Sequence, residues 1–407
     1  MTTTLIILAI VLILAVLILL FRVSALLSVA RGTDAKKGGL LNKFNASMFL
    51  VFLVGGTIAF FWYTIRHQDD YLLPTASSIH GVGTDNLMLV TMIVVILIFL
   101  LVNAVLFIFA WKYQYKEENR ATYYPENSIL ELLWTVVPAI VLTFLVFSGW
   151  QQWTRITTPP TRAQLAVSKP IEFEIVGQQF QWSFRCPGED GKLGEHNFRR
   201  IDASNPFGIK EEDINGLDDF SPKPVDPANT EKKPEIHIPV NRLAHMKIRA
   251  KDVLHSVFIP HMRVKMDAVP GHPTEFWFTP TVTTQEMRNR LENQDFNYEI
   301  ACTEICGKGH FKMKGILIVD SEEEYAAWEK SQKPWSIDDY TRGYIARKLN
   351  IVAPSMKRKV LAKLDKLSLA YKEIEEEEEA EVIEEPVENT DVEVVEEEAS
   401  TETTTEE

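Results

Sequence analysis

Cysteine is scarce in this chain: 407 residues hold three, at positions 186, 302 and 306. Only Cys302 and Cys306 lie close together, and no second pair exists, which argues against a zinc scaffold assembled from two cysteine couples. No C-x-x-C-H occurs, so a covalently attached c-type haem is excluded. Basic side chains are missing from residues 373–407, which hold 18 acidic ones. The net charge of −14 therefore belongs to that tail, since the remaining 372 residues carry 38 acids against 42 bases. A block of like charge with few aromatics cannot bury enough surface to fold, so a disordered, solvated tail is expected there. Basic residues are also missing from MTTT, ahead of the first apolar run, and Arg22 follows that run. A cleaved signal peptide has the opposite polarity, so a retained helix is expected.

Long apolar runs, by contrast, are plentiful. Residues 5–21, 46–65, 87–111 and 129–150 are four candidate spans, each near the ~20 residues that cross a bilayer core. Arg31, Lys36, Lys37 and Lys43 follow the first run, and Lys112, Lys116 and Arg120 follow the third, whereas Asp69, Asp70 and Asp85 mark the connection between the second and third. The positive-inside bias puts the basic loops in the cytoplasm and everything after Trp150 outside. The bilayer is thus one partner, and no nucleic acid is expected. Glu131, at the start of the fourth run, reads by itself as a hydrated interfacial carboxylate.

From about residue 160 the hydropathy drops. Short stretches at 171–176, 180–184, 236–240 and 246–250 are each bounded by Pro, Gly, Asn or Asp, the pattern of an all-β sandwich. Two polar insertions, 187–234 and 282–297, interrupt it, and the second is helix-prone. Residues 321–372 read as a helical extension. Cys186 is expected to be buried or inert, and His237, His245, His261 and His272 to be strand or surface residues.

The chemistry concentrates in residues 301–313, ACTEICGKGHFKM, which place Cys302, Glu304, Cys306, His310 and Met313 on one loop. Thiolate, imidazole and thioether together select copper, and a weak Met ligand is typical of electron-transfer copper. A mononuclear site would use Cys306, His310, Met313 and one upstream His, leaving Cys302 over. With both thiolates bridging, two coppers fit, each with its own His. A disulfide between Cys302 and Cys306, or half of a zinc site, are the remaining readings.

C-T-E-I-C-G-x-G-H-x-x-M resembles the copper A loop of subunit II of the haem-copper cytochrome c oxidases. Asp252-Val253-Leu254-His255-Ser256 is similar to the strand that brings that family's second imidazole. The resemblance spans about residues 85–320 and implies a cupredoxin-like Greek-key domain (160–320) outside the membrane. That domain would follow a transmembrane hairpin (85–155), with residues 1–70 as two extra helices. It implies that Cys302 and Cys306 bridge two coppers, with His255 and His310 as terminal ligands. Met313 would be a weak ligand, and Glu304 would add its backbone carbonyl and, through its carboxylate, a magnesium ion facing the catalytic subunit. Gly177-Gln178-Gln179-Phe180-Gln181-Trp182 is similar to the family's electron-input segment, with Phe180 where most members have Trp, which makes a membrane-bound or complex-held donor more plausible. E-x-x-W-T-x-x-P-A around Glu131 implies proton uptake, and Lys265 and Asp267 imply a subunit interface. The implied function is electron transfer from a c-type cytochrome to haem in catalytic subunit I, alongside other oxidase subunits, in a bacterial inner membrane with the copper domain periplasmic. A mononuclear cupredoxin carrier and a non-redox copper module are the alternatives. A quinol oxidase subunit would lack the ligands present here.

Overall fold

The computed structural model describes residues 2–31, 40–68, 72–116, 120–222, 233–336 and 338–384. Lys36, Lys37, Asp69, Asp70 and the tail beyond Glu384 lie outside them. Two compact units emerge, one of residues 1–184 with 223–329 and the other of residues 185–222 with 330–407.

The first unit begins with helices α1 (Thr2–Ala30), α2 (Leu40–Arg66), α3 (Ile79–Lys112) and α4 (Ser128–Thr157). Among the described residues three helices are long and apolar enough to cross a membrane, Asn42–Arg66, Ile79–Lys112 and Ser128–Thr157, and α1 adds a shorter apolar stretch, Val11–Ser24. The third helix starts eight residues before its apolar run, because the Ser78 side chain accepts the Gly81 N–H and caps it. At ~1.5 Å per residue its 34 residues extend about 50 Å, well beyond a hydrocarbon core of ~30 Å. Its first turns, Asp85 included, therefore stand clear of lipid. In α4, Pro138 lies inside the helix, and Glu131 occupies the first turn next to the Asn127 cap.

A short helix, α5 (Arg162–Ser168), leads into two sheets. Strands β1 (Ile171–Gln178), β2 (Gln181–Arg185), β4 (Ala244–Ala250) and β7 (Thr274–Phe278) form one, in the order β2-β1-β4-β7. The other runs β3-β9-β8-β5-β6, with β3 (Glu235–Pro239), β5 (His255–Ile259), β6 (Val264–Ala268), β8 (Tyr298–Cys302) and β9 (Lys314–Asp320). β1 pairs with β4, and β3 with β9, in parallel; β4 with β7, β5 with β6 and β8, and β8 with β9 are antiparallel. Along β9 every second residue is buried, Gly315, Leu317 and Val319, because successive side chains point to opposite faces. Trp182, Phe184, Phe276, Phe278, Ile175 and Ile248, all under 2% exposed or nearly so, fill the core at ~1.5–3 kcal/mol each. The helix-prone insertion forms α6 (Thr284–Leu291), capped by Thr283 and pinned to β9 by the Val319 N–H donating to Thr284 Oγ1 at 2.8 Å.

After β9, α7 (Glu322–Lys330) brings Trp328 onto the His237 ring, with centroids 4.5 Å apart. His237 Nδ1 lies 2.6 Å from Asp320 and Nε2 2.8 Å from Glu235. Burial works against charge on this ring, yet the Asp320 and Glu235 carboxylates raise its pKa above the ordinary value. A raised folded-state value stabilises the domain fully below the unfolded pKa of ~6.5, and that contribution is lost as pH climbs through the folded value. The melting temperature is expected to fall on going from mildly acidic to mildly alkaline buffer, and His237→Gln to flatten that slope in a thermal-melt series.

The second unit joins the first insertion to the C-terminal extension. Leu217 packs with Tyr344, Ile345, Leu349, Val360 and Leu364 from α8 (Asp339–Lys348), the turn after it and α9 (Pro354–Glu384). Trp335 Nε1 donates to the Gly216 carbonyl, and the Tyr344 hydroxyl meets Asp202 at 2.8 Å and Glu211 at 3.1 Å. The first insertion thus shares a hydrophobic core with the C-terminal extension. Helix α9 also takes in residues 373–384, which composition assigned to the tail; Glu is a good helix former, and basic residues precede it on the same helix. Cys186 is buried here, as expected.

Candidate metal centre

The loop 303–313 connects β8 to β9, so its two ends are held by the ladder. Cys302 closes β8 and pairs with Val257, two residues after His255 at the start of β5. The Cys302 N–H donates to the Met313 carbonyl at 3.1 Å, and the Thr303 N–H to the Ser256 carbonyl at 3.1 Å. His255, Cys302 and Cys306 come together with donor atoms all within 4.8 Å of one another. The Cys302 and Cys306 sulfurs are 4.0 Å apart, far beyond the ~2.0 Å of a disulfide, and both thiols are free.

The remaining donors ring this pair. Cys302 Sγ lies 3.9 Å from His255 Nδ1 and 3.3 Å from the Glu304 carbonyl oxygen, while Cys306 Sγ lies 3.6 Å from His310 Nδ1 and 3.9 Å from Met313 Sδ. All six groups picked out from the sequence therefore converge. His255 is fully buried and Met313 nearly so. At this separation both sulfurs would be within reach of one soft ion, whose bonds to thiolate are ~2.3 Å. Two four-coordinate ions sharing two thiolates need four further donors, and two imidazoles, one thioether and one carbonyl are what is present. The donor set fits a copper pair.

Electrostatics prepares the site. Burial and the neighbouring Cys302 push the Cys306 thiol up to about 11, so metal loading must displace protons. His255 Nε2 is 2.9 Å from Asp252 Oδ1, which fixes the ring and leaves Nδ1 toward the sulfurs. Burial opposes charge on Asp252, but bonds from His255 and the Gln179 and Val253 N–H groups hold its pKa below the usual carboxylate range.

Two aromatic rings stand behind these ligands. Trp182 is fully buried and meets His255 edge-on, with centroids 5.9 Å apart. Phe180 is 38% exposed and lies on the loop itself. A Cβ at Gly309 would come within 2.5 Å of the Phe180 ring, and one at Gly307, where φ is +133°, within 2.9 Å. These glycines permit that close approach. Of the other sequence-picked residues, Glu131 sits exposed at the α4 N-terminus, and Lys265 and Asp267 are exposed on β6. None of these three reaches the donor cluster. Sequence reasoning missed Asp252 as the His255 partner and Gln179, whose amide donates to the Cys306 carbonyl; D-V-x-H spacing was the available signal for the first.

Apolar helices, a two-sheet sandwich and a buried His/Cys/Cys group at its rim define a membrane-anchored protein with a cupredoxin-like domain. The family profile for cytochrome C oxidase subunit II, transmembrane domain, matches residues 66–151, and that for its periplasmic domain matches residues 217–321. The alternative cytochrome c oxidase subunit 2 of Bradyrhizobium diazoefficiens is 33% identical over 226 residues, covering 56% of this chain and 72% of that protein. Cytochrome c oxidase subunit 2 of Cereibacter sphaeroides is 26% identical over 266 residues, 63% of this chain and 76% of that one. A solved periplasmic domain of cytochrome oxidase subunit II from Bradyrhizobium japonicum aligns at 23% identity over 40% of this chain and 91% of that chain, with a TM-score of 0.25. The chain belongs to the cytochrome c oxidase subunit II family. It is an oxidase subunit anchored in a membrane, with its copper-type domain outside.

Proposed function

We propose that this subunit receives electrons from a c-type cytochrome at a binuclear copper A centre and delivers them to haem in catalytic subunit I, for proton-pumping reduction of oxygen to water. The observation carrying this reading is the second thiolate: Cys302 sits 4.0 Å from Cys306 with its own imidazole neighbour, which a mononuclear carrier does not need. When bound, the copper pair supplies reversible one-electron chemistry. The chain's own residues do the rest. Cys302 and Cys306, 4.0 Å apart, would hold two ions in one frame. Asp252 fixes the His255 ring, and Gln179 ties the loop through the Cys306 carbonyl. Trp182 and the apolar sheet faces exclude water, which limits solvent rearrangement.

Phe180 is the electron-input residue in this reading, because its ring is both exposed and in contact with the copper loop; Trp182, with no exposed surface, acts behind it. The exposed Glu304 carboxylate is a magnesium ligand facing subunit I, where hard oxygen donors suit that ion. Lys265 and Asp267 belong to the same interface, and Glu131 is a proton-uptake carboxylate at the cytoplasmic side. The host membrane is a bacterial inner membrane, and the donor is membrane-bound or held in a supercomplex. Replacing the side chain of Phe180, Glu304, Lys265, Asp267 or Glu131 is expected to leave the isolated copper spectrum intact and to show its defect only in the assembled oxidase.

Electron paramagnetic resonance of the full chain, loaded with copper, tests the core of the reading. Hyperfine structure from two equivalent copper nuclei sharing one electron is expected. Structure from one nucleus, or no bound copper, would sink the binuclear assignment in favour of a mononuclear carrier or a non-redox module.

A further inference from the structure

The joint between the membrane helices and the copper domain contains an ion pair that the metal site does not use. Arg263 follows the single 3-10 turn Pro260–Met262 that links β5 to β6, and its φ is +54°. That is the left-handed region, which side chains other than glycine occupy at a cost and keep only where surroundings over-determine them. Here they do. The Arg263 side chain, 7% exposed, donates to both oxygens of Asp85 at 2.7 and 2.9 Å, to the Pro260 carbonyl at 2.6 Å and to the Pro74 carbonyl at 2.6 Å. Two parallel N–H···O bonds to one carboxylate combine strength with fixed direction. Gly81 leaves room for the stem, since a Cβ there would lie 3.1 Å from Arg263 Cγ.

The pair does not act alone. The Ser77 N–H donates to the His261 carbonyl at 2.7 Å, the Ser78 hydroxyl to the Met262 carbonyl at 2.7 Å, the Ile79 N–H to the Thr279 carbonyl at 3.0 Å and the Thr281 N–H to the Ser77 carbonyl at 2.9 Å. All of these bonds cross between the start of α3 and the loops of the sandwich. Arg263 is also the corner of the hairpin whose first strand opens with the ligand His255. Asp85 is rigid because it is helical. A guanidinium clamped to it passes that rigidity along one strand to the metal site.

We propose that Arg263 and Asp85 are positioning residues for inter-subunit electron transfer: their bidentate pair locks the copper domain on its membrane hairpin and so sets the distance from the copper pair to the acceptor haem. The proposal rests on the function given above. In the step concerned the copper pair is oxidised by one electron and the haem iron of subunit I is reduced by that electron, with no bond made or broken at Arg263.

The test uses the whole oxidase complex carrying Asp85→Asn or Arg263→Gly. The first keeps the side-chain shape and removes the charge; the second relieves the left-handed backbone while deleting all four bonds. The paired-copper spectrum and its potential are expected to match wild type, and hydrogen exchange at the Ser77, Ile79 and Thr281 amides to quicken. Flash-initiated copper-to-haem transfer is expected to slow about tenfold, within the range that a ~1 Å misplacement can cost. Transfer at the wild-type rate in an intact Asp85→Asn complex overturns the proposal. So does loss of the paired-copper spectrum in that variant, which would make the pair a requirement for folding. If Arg263→Gly does not assemble, Asp85→Asn decides alone. A wild-type complex without the paired-copper spectrum would refute the electron-relay function and not the lock.

Discussion

Cys306→Ser is expected to abolish the paired-copper spectrum and to reduce oxidase turnover more than 100-fold. The Cys306 sulfur neighbours three other donors, Cys302 Sγ at 4.0 Å, His310 Nδ1 at 3.6 Å and Met313 Sδ at 3.9 Å. A serine hydroxyl is a hard donor that stays protonated at neutral pH, so it cannot replace a soft bridging thiolate. Changing residues that merely support a ligand commonly costs ~10–100-fold, and loss of a bridging ligand exceeds that. Cys302→Ser should behave alike, since Cys302 has its own neighbours in His255 and the Glu304 carbonyl. The fold itself should survive, because the swap is nearly isosteric. Copper content, paramagnetic resonance and turnover of the purified complex check this together. A paired spectrum that persisted in either variant would show that one thiolate suffices.

Trp182→Ala is expected to give the largest loss of stability, ~3–5 kcal/mol, as usual for truncating a fully buried aromatic. The ring has no exposed surface and packs against His255 and Gly177, where a Cβ would lie 2.9 Å from the His255 ring and 3.0 Å from Trp182. Its removal opens a cavity beside a metal ligand, so copper should dissociate faster as well. Trp182→Phe should retain most of the stability, because the indole N–H has no hydrogen-bond partner among the described residues. Thermal unfolding of both variants, followed with copper release, measures the two effects. Equal destabilisation by Ala and Phe would place the cost in the indole nitrogen instead of the cavity.

The metal centre was unusually legible because most of its donors are contiguous. Cys302, Glu304, Cys306, His310 and Met313 all fall on one loop, and their residue types alone point to copper. His255 lies 47 residues upstream of Cys302, and only the resemblance of its D-V-L-H-S strand singled it out. The strands were readable from the drop in hydropathy after residue 160 and the turn residues that bound each short stretch. Those signals could not separate the roles of Phe180 and Trp182: Phe180 falls in the turn before β2 and is 38% exposed, whereas Trp182 lies on β2 and is fully buried. The pairing of the first insertion with the C-terminal extension left no local trace, because Leu217 meets Tyr344 and Val360 across more than a hundred residues and no periodic pattern spans such a gap. Arg263 was passed over for a similar reason: a left-handed φ and a partner in another element are not features of composition.

By itself, then, the amino-acid order determined the membrane helices, the all-β class of the domain that follows them, the acidic character of the tail and the soft-donor chemistry of the loop from Cys302 to Met313. Those properties depend on hydrophobic run length, local periodicity, net charge and donor chemistry, all of which act over a few neighbouring residues. The tertiary structure decided which aromatic faces water, which carboxylate orients His255, how the insertion and extension share a core, and where the copper domain is fastened to α3. Each of these is a contact between residues distant in sequence, and such contacts exist only once the chain has closed the loops between them.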